Sequence, residues 1–98
     1  MTITTNWNDK ALNIALEGRL DTMTAPELEA ELSKTMSGAD TLCMDFSKLD
    51  YISSAGLRVL LSAHKVMSAK GGMTIKNVNE IVQEVFEVTG FSDILTIE

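Results

Sequence analysis

Two adjacent serines, Ser53 and Ser54, stand in the segment Asp50-Tyr51-Ile52-Ser53-Ser54-Ala55-Gly56-Leu57. A strand-like run, Leu42 to Phe46, comes just before it, and a long apolar helix pattern comes just after. The serines therefore open a helix, where backbone N–H groups lack an intrahelical acceptor and the dipole is positive. A hydroxyl there can cap the helix, or it can carry a phosphate that those amides would hold. The first role is structural and the second is a switch. On composition and spacing alone, capping comes first.

Little else in the chain has the makings of chemistry. His64 is the only histidine and lies on an apolar helix stripe, where a packed, hydrogen-bonded histidine is expected rather than a catalytic base. Cys43 is the only cysteine, so no disulfide can form within the chain. It sits mid-strand in Leu42-Cys43-Met44, which fits a buried inert thiol better than a nucleophile. No Cys/His cluster has metal-ligand spacing, and there is neither Gly-x-Ser-x-Gly nor a glycine-rich phosphate loop. Nothing assembles nucleophile, base and oxyanion site, so no enzyme, metal or cofactor is expected.

In an alternating strand–helix chain, functional groups gather where strands end and helices begin. Three loops qualify: Gly18-Arg19-Leu20-Asp21-Thr22, Asp45 to Ser54, and Asn77-Val78-Asn79. Asp21 and Asp45 are thereby expected near the serines, to orient a hydroxyl, to contact a partner or to cap local amides. For Asp45, capping is the better reading. A phosphate on a serine would add nearly two negative charges beside these carboxylates. The helix N-terminus tolerates that charge, whereas a partner packed on the same surface does not.

The elements that must position these groups can be read from periodicity. Ile3, Thr5 and Trp7 alternate with polar residues, as do Leu12, Ile14 and Leu16, around the turn Asn8-Asp9-Lys10. This predicts an antiparallel hairpin. Thr24-Ala25-Pro26-Glu27 reads as a helix start, with Thr24 as cap, Glu27 closing a capping box and proline in the first turn. Ala25, Leu28, Leu32 and Met36 share its inner face, and Ser37-Gly38 ends it. Thr41 to Phe46 reads as a central parallel strand buried on both faces. A second helix runs from about Ser54 to Ala69, with Leu57, Leu60, Leu61 and His64 inward and Val59, Ala63, Val66 and Met67 widening that face. Gly71-Gly72 stops it. Met73 to Lys76 is a short strand. A third helix from about Val78 turns Ile81, Val82, Val85 and Phe86 inward and ends at Gly90, and Ile94 to Ile97 form a last strand. Strands alternating with helices imply parallel neighbours joined by right-handed crossovers, and the hairpin makes the sheet mixed.

With 98 residues, 45% apolar and 22% charged, the chain is expected to form one domain over 1–98. The net charge of −6 argues against direct binding of nucleic acid or of an anionic membrane. An acidic surface fits a basic protein partner, and fits simple solubility equally well. No apolar run approaches the roughly 20 residues of a membrane span. No basic segment opens the chain, so a cytoplasmic location without a secretory signal is expected.

The chain resembles the STAS domain family, in particular the small bacterial anti-sigma factor antagonists. The resemblance covers essentially the whole chain. Its firmest piece is Leu49-Asp50-Tyr51-Ile52-Ser53-Ser54-Ala55-Gly56-Leu57-Arg58-Val59-Leu60-Leu61. A second piece is Leu16-Glu17-Gly18-Arg19-Leu20-Asp21 with Thr24-Ala25, and a third is Phe86 with Gly90-Phe91. The resemblance implies a mixed α/β sheet of about five strands, an N-terminal hairpin followed by mostly parallel strands, packed with three to four helices. It implies binding to an anti-sigma factor that is also a serine kinase, which frees a sigma factor for transcription. Phosphorylation then dissociates the complex, and a separate serine phosphatase restores the antagonist. ATP and magnesium belong to the kinase, and this domain needs no cofactor.

The family's usual segment is Asp-Ser-Ser/Thr-Gly. Counting back from Gly56 puts the phosphorylated serine at Ser54, with Ser53 as the alternative. Ser53 stands where the family often has Asp, and Ala55 where it often has Ser or Thr. By the same resemblance, Asp21, Thr22, Ser53, Ser54, Gly56, Leu57 and Arg58 form the partner-binding surface. The other role the family implies is that of a STAS subunit in a lipid or anion transport complex, with the same surface as a permanent interface.

Overall fold

The computed structural model describes all residues, 1–98. The strands are β1 (Thr2–Asn8), β2 (Ala11–Leu20), β3 (Thr41–Ile52), β4 (Met73–Lys76) and β5 (Thr96–Ile97). The helices are α1 (Ala25–Thr35), α2 (Ser54–Ser68) and α3 (Glu80–Thr89), with 3-10 turns at Met36–Gly38 and Phe91–Asp93. The sheet runs β1-β2-β3-β4-β5, with β1 antiparallel to β2 and every later pair parallel. The hairpin closes with Asn8 opposite Ala11, and Asp9 takes φ +56° to make the two-residue turn. This is the mixed α/β sheet expected from the order of elements.

From β2 onward each crossover steps the same way across the sheet. Right-handed crossovers of that kind place every helix on one face. The burial pattern follows. Leu12, Ile14, Leu16, Leu42, Met44, Phe46 and Ile75 are buried under the helices. Cys43 and Asp45 point to the other side and are only half-buried. The expectation that this central strand is buried on both faces is therefore corrected: the sheet is covered on one side only.

β3 also runs beyond Phe46. Its register against β2 shifts between Ala15 and Glu17 and again between Gly18 and Arg19. Each shift gives β3 an extra residue, a β-bulge that breaks the period of two. The inward residues become Leu42, Met44, Phe46, Leu49 and Ile52. The segment expected as a loop from Asp45 to Ser54 is mostly strand, and Ser53 alone separates β3 from α2.

α1 buries Ala25, Leu28 and Leu32, as its spacing requires. Thr24 precedes it, but its side chain makes no capping bond to the helix, so the expected capping box is absent. α2 buries Leu57, Val59, Leu60, Ala63 and Met67, while Val66 faces solvent. α3 buries Val82 and Phe86, and the Phe86 ring lies 6.5 Å from that of Phe46. Ile81, expected inward, is 59% exposed. The reason is the position of the helix start. Asn79 caps α3 by accepting from the Val82 amide at 2.8 Å and donates to the Leu49 carbonyl at 2.8 Å. These two bonds fix the helix rotation around Val82 and Phe86.

The turn after α2 is tied to the segment after α1 by Lys70, whose Nζ donates to the carbonyls of Met36 at 2.7 Å and Ala39 at 3.0 Å. Gly71 follows, with its amide on the Asp40 carbonyl at 2.7 Å. A Cβ at Gly71 would lie 2.6 Å from that oxygen, so this close passage requires glycine.

Candidate functional site

The C-terminal ends of β2 and β3 meet at the start of α2. The Ser53 amide donates to the Leu20 carbonyl at 2.9 Å, so the residue after β3 is pinned to the last residue of β2. Ser53 has extended backbone (φ −102°, ψ 175°) and is the N-cap of α2. Its Oγ accepts from the Gly56 amide at 3.5 Å, a long bond, and its carbonyl accepts from Leu57 at 2.9 Å. Ser54 is the first helical residue and is exposed, whereas Ser53 is half-buried. The capping task thus falls to Ser53, and the hydroxyl of Ser54 faces solvent. The amides of Ser54 and Ala55 open the helix and have no intrahelical acceptor.

Asp21 lies directly after Leu20. Its Oδ1 accepts from the amides of Met23 at 3.0 Å and Thr24 at 3.1 Å. Thr24 Oγ1 donates to the Arg19 carbonyl at 2.8 Å and accepts from the Asp21 amide at 2.8 Å. This is where the expected helix cap went: the Thr24 hydroxyl turns backward and locks the loop. The Thr24 amide, with those of Met23 and the nearby Arg19 charge, holds the Asp21 carboxyl below its ordinary pKa against a smaller opposing effect of burial. Arg19 Nε is 3.8 Å from Asp21 Oδ2, and its guanidinium lies 4.5 Å from the centre of the Tyr51 ring. An exposed pair of this kind contributes little by itself. Together these contacts make Arg19 to Thr24 a built loop.

Thr22 is exposed and lines a shallow groove between α1 and α2 with Ala25, Pro26, Ala55 and Arg58. Arg58 is exposed one turn beyond Ser54. Gly56 and Leu57 are buried and position the helix from beneath. Asp21, Thr22, Ser53, Ser54 and Arg58 are therefore gathered at one end of the sheet, with Gly56 and Leu57 under them. Asp45 is not among them. It sits on the uncovered face of β3, where its Oδ1 accepts from the Ser47 amide at 2.9 Å and from Asn77 Nδ2 at 3.0 Å. The Asn77 side chain is the main cause that lowers its pKa, the Ser47 amide the next. Asp45 caps local backbone, the better of its two readings, and lies seven strand residues before the serines.

Sequence reasoning missed Met23, which is 83% exposed at the tip of the locked loop. Its neighbours Thr22 and Thr24 are β-branched, so nothing local marks it as held out in a turn. His64 is half-buried with Nδ1 unpaired, so the hydrogen bond expected for it is not made. No group of three or more His, Cys, Asp or Glu gathers where it could hold a metal ion, and no helix is long and apolar enough to cross a membrane.

A family profile described as "Mlab, STAS domain" matches residues 3–96. The chain belongs to the STAS domain family. This STAS domain is 37% identical over 99 residues to a protein of Bordetella bronchiseptica named "Putative anti-sigma factor antagonist BtrV", across 99% of this chain and 85% of the relative. It is 31% identical over 93 residues to the anti-sigma-B factor antagonist of Bacillus subtilis, across 94% of this chain and 84% of that protein. Among solved structures it is similar to the Bacillus cell fate determinant SpoIIAA in the phosphorylated form. The TM-score is 0.76 at 19% identity, over 99% of this chain and 91% of that one. That likeness speaks to the fold.

Proposed function

We propose that this STAS domain is an anti-sigma factor antagonist whose binding to an anti-sigma factor serine kinase is switched off by phosphorylation of Ser54. The observation that carries the reading is the division of labour at the start of α2: Ser53 caps the helix and Ser54 offers an exposed hydroxyl. The two curated relatives named as antagonists support it. So does the locked loop from Arg19 to Thr24, which holds Asp21 and Thr22 beside the serines.

The chemistry of the switch follows from position. In the unmodified protein, Asp21, Thr22, Ser53, Ser54 and Arg58 meet the kinase, with Gly56 and Leu57 supporting them. A phosphate on Ser54 adds nearly two negative charges. The unpaired amides of the first turn and Arg58, four residues on, are available to hold it within its own chain. The kinase surface that fitted a neutral hydroxyl must then desolvate a dianion, and the complex dissociates. A serine phosphatase reverses the state. The domain performs no catalysis in this scheme.

The test is incubation with the cognate kinase and ATP, followed by mapping of the phosphate by mass spectrometry. Phosphate on Ser54, with weak binding by Ser54→Glu and persistent binding by Ser54→Ala, is the expected result. Phosphate on Ser53, or none, would overturn the assignment. The replacement of the family's Asp and Ser/Thr by Ser53 and Ala55 favours a second reading, a permanently bound subunit of a membrane transport complex. That reading requires Ser54→Glu to bind its partner as wild type does.

A further inference from the structure

The two edges of the sheet differ. β5 is two residues long, and the Lys76–Glu98 ion pair at 4.0 Å lies beside it. Short, charged edges are blunted against pairing with another chain. β1 is seven residues long, holds no proline and no charged residue, and pairs with β2 without a register shift. None of the usual protections is present on it.

The direction of its free backbone groups follows from the turn. In a hairpin with a two-residue turn, the flanking residues exchange both hydrogen bonds, and alternate pairs do so thereafter. Asn8, Asn6, Thr4 and Thr2 therefore bond to β2. The N–H and C=O groups of Ile3, Thr5 and Trp7 point outward from the edge. The side chains of these three residues lie on the helix-bearing face. Ile3 packs against the core, Thr5 donates to Glu31 Oε2 at 3.1 Å, and Trp7 is left 46% exposed.

We propose that β1 pairs with β1 of a second copy of this chain, antiparallel about a two-fold axis at Thr5, so that the two sheets become one. The register is self-complementary. Thr5 meets Thr5, and Ile3 of each copy meets Trp7 of the other. Every outward residue then faces an outward residue, which forms about six backbone hydrogen bonds across the seam. The same pairing sets Ile3 beside the indole ring and covers it. Charge selects the edge as the place of contact. The chain carries −6, which opposes stacking of broad acidic surfaces, whereas β1 itself is neutral. Glu31, which accepts from Thr5, is paired with Lys34 at 3.4 Å. β2 separates the seam from β3 and the serines, so both copies keep that end of the sheet open.

Sedimentation over loading concentrations from about 1 μM to about 1 mM tests the pairing. The expected result is a rise from 10.7 kDa toward twice that mass. The emission of Trp7, the only tryptophan, should shift to shorter wavelength over the same range. The amides of Ile3, Thr5 and Trp7 should exchange slowly in the dimer and quickly in the monomer. Thr5→Pro removes an outward N–H and leaves the β2 bonds in place. It should keep the protein monomeric, with an unfolding midpoint close to that of Thr5→Ala, which removes only the hydrogen bond to Glu31. Thr4→Pro, which removes an inward bond, should lower the midpoint. A monomer throughout the range overturns the proposal. So does a dimer in which the three outward amides exchange as fast as in the monomer.

Discussion

Gly56 in α2 lies so close to Leu20 at the end of β2 that a Cβ on the glycine would stand 2.6 Å from Leu20 Cγ. The contact sets the height of the α2 N-terminus above the sheet, and hence where Ser53 and Ser54 emerge. Leu20 is fully buried and cannot yield without disturbing its neighbours. Gly56→Ala should therefore destabilise the fold by about 1–3 kcal/mol through overpacking. That exceeds the gain of about 1 kcal/mol from better helix propensity. A urea midpoint at or above wild type would show that the contact relaxes freely.

The two serines should separate in a stability measurement before any partner is added. Ser53→Ala removes the cap and should cost about 0.5 kcal/mol, the low end of the range, because the bond to Gly56 is long. Ser54→Ala should be neutral or slightly stabilising, because the side chain is exposed and alanine favours a helical position. With the kinase present the order reverses: Ser53→Ala should still accept phosphate and Ser54→Ala should not. Equal loss of phosphate in both variants would defeat the assignment of roles.

Acid should loosen the loop at Asp21 only below the ordinary carboxylate range. Its folded pKa lies below the ordinary value, chiefly because the Thr24 amide donates to the carboxylate. A depressed acid stabilises the fold above its unfolded pKa of about 3.9 and loses that contribution as pH falls through the lower folded value. The amides of Met23 and Thr24 should therefore shift in NMR spectra below about pH 4 and stay constant near neutrality. Asp45 should behave likewise, with the Asn77 side-chain amide as reporter. An Asp21 titration at or above the ordinary carboxylate value would contradict the geometry.

His64 offers a test in the stabilising direction. Its Nδ1 is buried without a partner, and an unsatisfied polar group costs about 1–3 kcal/mol. His64→Leu keeps a side chain of similar reach on the same stripe of α2. Thermal unfolding should move upward, by the equivalent of about 1 kcal/mol because the residue as a whole is only half-buried. A lower midpoint would mean that the imidazole makes a contact the leucine cannot replace.

Much of the fold was legible in local patterns. The alternation in Ile3 to Leu16 marked the hairpin, and the spacing of Ala25, Leu28 and Leu32 marked the buried face of α1. Val66 and Ile81 misled for one reason: each lies at the border of an apolar stripe, where a small helix rotation decides exposure. The strand after Phe46 was hidden by its two bulges, because a bulge erases the period by which a strand is recognised. At the site, the junction of two serines was plain from composition, whereas Met23 was not, since nothing local says that a turn will hold it out.

The sequence by itself determined the order of elements, the apolar faces of the helices and the presence of two hydroxyls at a helix start. These depend on neighbours within a few residues, which periodicity and turn chemistry encode. Tertiary structure decided the rest. The crossovers left one face of the sheet open and put Asp45 there, away from the serines. Pairing of Ser53 with Leu20 made Ser53 the cap and turned Ser54 outward. The Thr24 hydroxyl went to Arg19 rather than to its own helix because β2 delivers that carbonyl within reach. Each outcome depends on a group that folding, rather than chain order, brings into place.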